Sequence, residues 1–486
     1  MENDVKRLHP GKLLLDLWKL IKENFLLVIV LFILNSGSLF ITVIQILFMI
    51  YILLRLIAIF LGWYYYRYQT SDGTIYITEG VFKKSHQTIP MRRIQNVQQR
   101  MSVFHKLFHL TSLTLEMGMT DGKNSIELSA ISQKEASRLE AEIAVRRDEG
   151  EEQETQEDTE SIPASPKTVH FIATKKDVFK ASFTSFSFLA IIPAIFVIYS
   201  NVQGTFTDID ETIQGFSQDL LSSWWIISLA IILFIIVAVG FGVISTFLKY
   251  GKYEIASDEE QVFIKRGVLE TSTFSIRKDK VQAIEINQSL IKRLLRLAEV
   301  KLISAGSIGT EGRQTNSLYP FLPVRRAYSI IKEILPQYMV KSPMYQLPKR
   351  AILIRVIRAS GFWLIATAVV FAVFDAYWYV ILLVLWFLHL MGAFFDYKNS
   401  RFLLNEAFIQ IQSGALNTSL FVTRRSEVIQ IEVSQTLMQK SFGLATIKIV
   451  NRSSPVKHTE LKDISIDAAK AFYDWYPDRR KDIQLV

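Results

Sequence analysis

Two histidines, His105 and His109, stand four residues apart, a spacing that can put two metal ligands on one helical face. Two sister segments, set out below, carry Lys292 and Arg296, then Gln439 and Gly443, at the same places. A surface pair is therefore expected here and no metal site. Cysteine is absent, which excludes thiolate nucleophiles, disulfides and Cys-ligated zinc. The chain has no G-x-x-x-x-G-K-[ST], no G-x-S-x-G and no H-E-x-x-H. Its glycine-rich stretch Ser304–Gly312, SAGSIGTEG, lacks the Lys-Ser/Thr of a phosphate loop and reads as a hairpin turn. No catalytic residue and no cofactor is expected, so the enzyme class is set aside. Cations remain: Lys83, Lys84, Arg92, Arg93, Arg277, Lys278, Lys280, Arg424 and Arg425. They are candidates to touch an anionic membrane surface or a protein partner, each worth about 1 kcal/mol near such a surface. Arg55 and His389 lie inside apolar runs, where ionisable groups are functional candidates. Arg55 precedes Arg67 by twelve residues, about 18 Å of helix, so it either snorkels to the interface or pairs with a polar group of another hairpin. His389 is expected to reach the headgroups.

The elements that carry these residues repeat. A 31-residue pattern begins at Gly80, Gly267 and Gly414 and runs without a gap each time. Matched positions include Ser85, Ser272 and Ser419; Val97, Ile284 and Ile431; Lys106, Arg293 and Lys440; and Leu110, Leu297 and Leu444. Such a repeat fixes architecture before any residue chemistry is considered. Each copy follows a pair of apolar runs, so the unit is a membrane hairpin plus a soluble module.

Half of the 486 residues are apolar, and a bilayer core needs roughly 20 of them per helix. The first pair of runs spans about Leu13 to Tyr66, broken at Asn35–Ser38. The second is about Phe183–Tyr199 and Trp224–Phe247, and the third Ala359–Phe374 and Tyr377–Phe395. Six helices in three hairpins are expected, the fifth reaching full length only if it extends back past Arg358. The N-terminal segment MENDVKRLHP does not read as a cleavable signal. The net charge of +9 hides a contrast: residues 148–160 hold eight acids and no base, so the rest is more basic still. Residues 201–223 carry Asp208, Asp210, Glu211 and Asp219 and no Lys or Arg, and the other hairpin turns are also free of them. By the Lys/Arg count over short loops, both termini, the acidic linker and all three repeats face the cytoplasm of a multi-pass cell-membrane protein.

After each hairpin the period becomes strand-like, in TIYIT (Thr74–Thr78), QVFIK (Gln261–Lys265) and FIQIQ (Phe408–Gln412). A tight turn is expected at each repeat glycine, then two further strands, the second holding Val97, Ile284 or Ile431 as a buried residue. A short amphipathic stretch such as Leu290–Leu297 follows, then more strands, and a helix closes each module: Gln133–Arg147, Val324–Leu335 and Asp467–Trp475. Several antiparallel strands with one closing helix make an α+β module, consistent with a small partly open barrel.

Arg93-Ile94-Gln95-Asn96-Val97, Gln288-Ser289 and Phe442-Gly443-Leu444 resemble bacterial pleckstrin-homology-like domains of the second type. Three such domains, each behind a two-helix hairpin, resemble the YdbT-type bacterial membrane proteins over nearly the whole chain. The resemblance implies a bent antiparallel barrel capped by a C-terminal helix. It also implies a membrane-protein partner, a smaller protein of the same domain type being a candidate. The expected division is 1–66, first hairpin; 67–147, first domain; 148–168, acidic and Pro-containing linker; 169–248, second hairpin; 249–340, second domain; 341–396, third hairpin; 397–486, third domain. The expected function is assembly or scaffolding at the membrane, in the setting of envelope stress or resistance to membrane-active agents. Transport through the helix bundle is the alternative, with Arg55 and His389 as its polar marks. Nucleic acid is not an expected partner.

Overall fold

The computed structural model describes residues 5–28, 31, 39–81, 83–117, 125–152, 167–182, 184, 224–304, 317–373, 378–453 and 456–478. The first unit runs α1 (Gly11–Val28), α2 (Leu39–Tyr65), β1 (Arg67–Ser71), β2 (Thr74–Glu79), β3 (Ser85–Pro90), β4 (Ile94–Met101), α3 (Val103–Leu107), β5 (Leu110–Met117), β6 (Ser125–Ser132) and α4 (Gln133–Glu152). The second runs β7 (Thr168–Ile172), α5 (Lys175–Ser182), α6 (Trp224–Tyr250), β8 (Glu254–Ser257), β9 (Gln261–Arg266), β10 (Thr271–Arg277), β11 (Val281–Gln288), α7 (Leu290–Leu294), β12 (Leu297–Ser304), β13 (Ser317–Pro323) and α8 (Val324–Ile334). The third runs β14 (Tyr345–Gln346), α9 (Arg350–Val373), α10 (Trp378–Asn399), β15 (Arg401–Leu404), β16 (Phe408–Ser413), β17 (Thr418–Arg424), β18 (Val428–Ser434), α11 (Leu437–Ser441), β19 (Leu444–Asn451), β20 (Lys457–Ser465) and α12 (Ile466–Trp475).

Among the described residues three helices are long and apolar enough to span a bilayer: Ile41–Tyr65, Arg350–Phe371 and Val380–Asn399. A shorter apolar helix, Ile236–Tyr250, lies within α6. The fifth expected span does extend back past Arg358, to Arg350. The expected third span, the break at Asn35–Ser38, the turn at 201–223 and most of SAGSIGTEG lie outside the described residues. The described part of α1 is amphipathic, carrying Lys12, Asp16, Lys19, Lys22 and Glu23. It packs sideways on the first module: Leu20 is buried, and Trp18 sits 5.4 Å from the Phe104 ring. Six spans are therefore more than these residues display.

Strand pairing is where the modules depart from separate barrels. The sheet orders are β1-β2-β3, then β6-β5-β4-β10-β9-β8-β7, then β13-β12-β11-β17-β16-β15-β14, then β18-β19-β20. The second half of one module thus hydrogen-bonds to the first half of the next. Each unit also starts before its hairpin. Lys6 bridges Tyr68, β7 pairs with β8, and β14 pairs with β15. Apolar helices are thus inserted behind a first edge strand in each unit, and α4 reaches Glu152 while β7 begins at Thr168.

Local chemistry explains the recurring corners. Gly80, Gly267 and Gly414 all have positive φ, at 107°, 95° and 119°. A Cβ there would lie 2.0, 1.8 and 2.0 Å from the carbonyl oxygens of Lys83, Glu270 and Asn417, so only glycine fits the turn. The closing helices bury one face: Ala136, Leu139 and Ile143; Ala327, Ile330, Ile331 and Ile334; Ala469, Phe472 and Trp475. Of the three matched β-residues, Ile284 is fully buried. Val97 and Ile431 are only partly covered, against the expectation. Ile284 has a strand on both sides, β12 and β17, whereas β18 has one on a single side.

Candidate functional site: the membrane-facing ends and the module joints

Strand register fixes which end of a module faces the bilayer. Arg67 pairs with Thr78, and Glu79 with Ser85, so these residues lie level with the end of α2. Ser71 pairs with Thr74, and Thr74 with Pro90, four strand steps or about 13 Å farther out. The same alternation puts Arg277, opposite Gln261, and Arg424, opposite Phe408, at the outer ends of their modules.

The nine cations are accordingly not one surface. Lys83 and Lys84 are exposed in the turn beside α2, at the membrane end. Arg92 and Arg93 are exposed in a single 3-10 turn at the outer end. Arg277 and Lys280 are both bonded to Asp279, at 2.9 and 3.1 Å, and Lys278 donates to the Asp258 carbonyl at 2.6 Å. Burial raises the Asp279 carboxyl, but these two cations outweigh it and hold the group below its ordinary range. Arg424 is half-buried. Arg425 is 8% exposed, with its guanidinium 5.6 Å from the Trp475 ring centre and 3.6 Å from Asp478. Arg425 is a packing residue of its own module, a role that a basic pair does not announce in sequence.

Beside the membrane-end turns sit the short helices α3, α7 and α11. Each is capped at its N-terminus, by Ser102, Ser289 or Thr436. Each also shows bare apolar side chains: Leu107 is 69% exposed, Leu294 82% and Leu437 87%. Such residues on the bilayer side of a module suit insertion into the headgroup region. The amphipathic period was legible in Leu290–Leu297, but the side it faces was not. His105 departs from the expected surface pair. It is buried, its Nδ1 accepts from the Ser102 backbone N–H at 3.2 Å, and burial lowers its pKa below the ordinary histidine value. His109 is exposed on the following turn at φ 54°, so the two do not converge. No group of three or more His, Asp or Glu poised for a metal occurs among the described residues.

The intramembrane candidates both have partners. Arg55 lies 4.0 Å from Glu23 of α1, both half-exposed, within its own hairpin. It also lines a cleft of about 640 Å³ with Lys12, Asp16, Glu79, Lys83 and Glu127. His389 accepts from the Trp363 indole at 3.2 Å, and one turn away Trp386 donates to Ser360 at 3.2 Å, so the pair ties α10 to α9. Sequence alone missed the strongest polar cluster. Arg355 on α9 reaches Asp463 at 3.1 Å and Asp396 at 2.7 Å, and Arg358 reaches Asp463 at 3.0 Å. Asp463 is fully buried and also accepts from Gln439 at 2.9 Å, locking the third hairpin to its module.

The joints between modules follow one register. Ser272 stands opposite Arg100 in the first, and Ser419 opposite Asn287 in the second. A side chain two residues before each of those partners reaches the serine: Gln98 donates to Ser272 at 3.3 Å, and Ser419 donates to Glu285 at 2.9 Å. A cation on the short helix crosses to the next module's turn, with Lys106 donating to the Val268 carbonyl at 2.8 Å and Arg293 to the Ala415 carbonyl at 3.4 Å.

This thrice-used arrangement has a name among known families. Residues 25–147, 190–338 and 357–480 each match the family described as Bacterial PH domain. The chain belongs to the bacterial PH domain family. The matches take in α2, α6 and α10 together with the modules that follow them. The chain is also 24% identical to the UPF0699 transmembrane protein YdbT of Bacillus subtilis (strain 168), across 99% of this chain and 100% of that relative. No solved structure matches. Bacterial PH domain repeats with apolar hairpins make this a transmembrane protein.

Proposed function

We propose that the chain is a membrane scaffold, not an enzyme, holding three bacterial PH domains as one rigid array against the cytoplasmic leaflet for a membrane-protein partner. The observation that carries this is the pair of seven-stranded sheets shared between modules, since a backbone ladder fixes the spacing of three hairpins that linkers would leave free. Exposed leucines of α3, α7 and α11, with Lys83 and Lys84, supply contact with the lipid surface. The Lys/Arg distribution supports the cytoplasmic side. The resemblance to YdbT-type proteins suggests envelope stress or resistance to membrane-active agents as the setting.

Crosslinking followed by capture of the full chain from intact membranes tests this. A recurrent membrane-protein companion is the expected result. Loss of solute flux on deletion, with no companion captured, would overturn it in favour of transport. The Arg55-lined cleft is the one observation that favours transport, and Arg55→Lys separates the two. A scaffold tolerates the change, whereas a bidentate site inside the helix bundle does not.

A further inference from the structure

Among the described residues, the array ends in two joint edges without a partner strand, and they are complementary to each other. β4 and β11 are each covered by the strand that follows the repeat glycine of the next module, β10 and β17. Their counterpart in the last module, β18, is the terminal strand of its sheet, and β3, the counterpart of β10 and β17, is the terminal strand of the first. Natural edges are blunted by charges, proline or bulges in the open strand, because unpaired N–H and C=O groups recruit other strands. β18, VIQIEVS, has a single charge, its Ile429 is 45% exposed, and its register shift between Val428 and Gln430 recurs at the same place in the covered β4 and β11.

We propose that β18 of one chain pairs with β3 of a second copy of the same chain, head to tail, by the register already used twice inside it. This inference rests on the scaffold function and names its partner. The chain keeps both halves of the joint at its two ends. Ser85 matches Ser272 and Ser419, and Glu432 matches Gln98 and Glu285, the side chains that bond those serines. Lys440 matches Lys106 and Arg293, whose cations reach the carbonyl one residue after the repeat glycine. That carbonyl belongs to Val81 in the first module, after a Gly80 turn of the same positive φ. The internal register then sets Ser85 opposite Ser434, and Gln87 opposite Glu432.

The bilayer is compatible with this contact. Consecutive modules inside the chain are already related by it while each keeps its apolar helix α2, α6 or α10 at the same end. One more application therefore sets the next copy's hairpins at the membrane too. Such a heterologous contact builds a ring if the rotation closes and an open row if it does not.

The absence of native cysteine makes the test direct. Two differently tagged chains, one Ser85→Cys and the other Ser434→Cys, are expressed together, and intact membranes are oxidised. Directly opposed antiparallel residues lie about 4.5–5.5 Å apart between Cα atoms, within disulfide range. The expected result is a disulfide-linked species carrying both tags, absent when either variant is expressed alone. Gln87→Cys with Glu432→Cys is the second pair, in case a serine variant folds poorly. Arg100→Cys with Ser272→Cys in one chain is the control for the internal joint. Closure of that control with no mixed species from either pair overturns the proposal, as does equal linkage from single variants. Linkage of the Ser434→Cys chain to a different bacterial PH domain protein also overturns it, while leaving the scaffold function standing.

Discussion

The two internal joints share a register and differ in substance. The first, between β4 and β10, has four residue pairs and sets Gln98, Gln99, Arg100 and Met101 against Thr271–Phe274. It carries the ion pair of Arg100 with Glu270, whose side chains are 40% and 46% exposed. The second, between β11 and β17, has six pairs. There Phe421 is buried against Ala283 and Ile303, and Leu420 and Val422 join the core of the preceding module. Its buried Thr423 hydroxyl is bonded on both sides. Thr423 donates to the Gln282 carbonyl at 2.8 Å and accepts from Asn451 at 2.7 Å. One backbone ladder can thus join modules either as a detachable polar seam or as a continuous core. Modules two and three share one core, and module one joins them through the shorter ladder.

The largest effect should come from breaking the second joint. Ile284→Asp puts an unpaired charge where Leu302 and Val422 flank a fully buried residue. A loss of about 3–5 kcal/mol is expected, with modules two and three becoming protease-sensitive together while module one keeps its resistance. Digestion confined to module two would show that the two cores are independent.

A smaller effect bears on the first joint, through pH. His105 precedes Lys106, the residue that crosses to Val268. Burial lowers its pKa, Arg100 adds to that, and Glu127 and Glu270 oppose it. The unfolded chain then binds the proton more readily, so stability is present above the ordinary histidine value of about 6.5 and is lost as pH falls through it. Protonation also removes the lone pair on Nδ1 that caps α3, a loss typically worth about 1 kcal/mol. His105→Gln copies Gln439, which makes the same capping box in the third module. It should flatten the module-one unfolding profile on the acid side of about pH 6.5. An unchanged profile would place the titration elsewhere.

How much of this was legible in the sequence depends on the range of each interaction. Strands such as TIYIT, the glycine turns and the closing helices follow from local period and backbone sterics, and they stand where the residues put them. The joints do not follow from local pattern. β4 carries Gln98-Gln99-Arg100, which reads as a solvent edge, and the backbone bonds that cover it leave no mark on side-chain type. Arg425 reads as half of a surface pair because Trp475, its cover, comes 50 residues later. Asp463 and Arg355 stand 108 residues apart, so neither signals the other. The strands ahead of the hairpins were hidden for the same reason.

The smallest effect should come from Arg100→Ala. The exposed pair with Glu270 is worth about 0.2–1 kcal/mol, less at high salt. Module one should detach slightly more readily at low ionic strength, read as faster hydrogen exchange in β4 and β10. A cost above about 2 kcal/mol would mean that the first joint is as integral as the second.

Sharing sheets across modules also imposes a schedule on synthesis. The outer edge of β4 stays bare until residues 271–274 have left the ribosome. The edge of β11 waits in turn for residues 418–423. Besides the permanent edge of β3, the nascent chain shows one joint strand at each stage that awaits its partner, and each new module covers the one before it. The joint edge open to other strands during biogenesis therefore moves along the chain one module at a time. A ribosome stalled between modules would release a chain whose exposed edge is the very one the next module is shaped to cover.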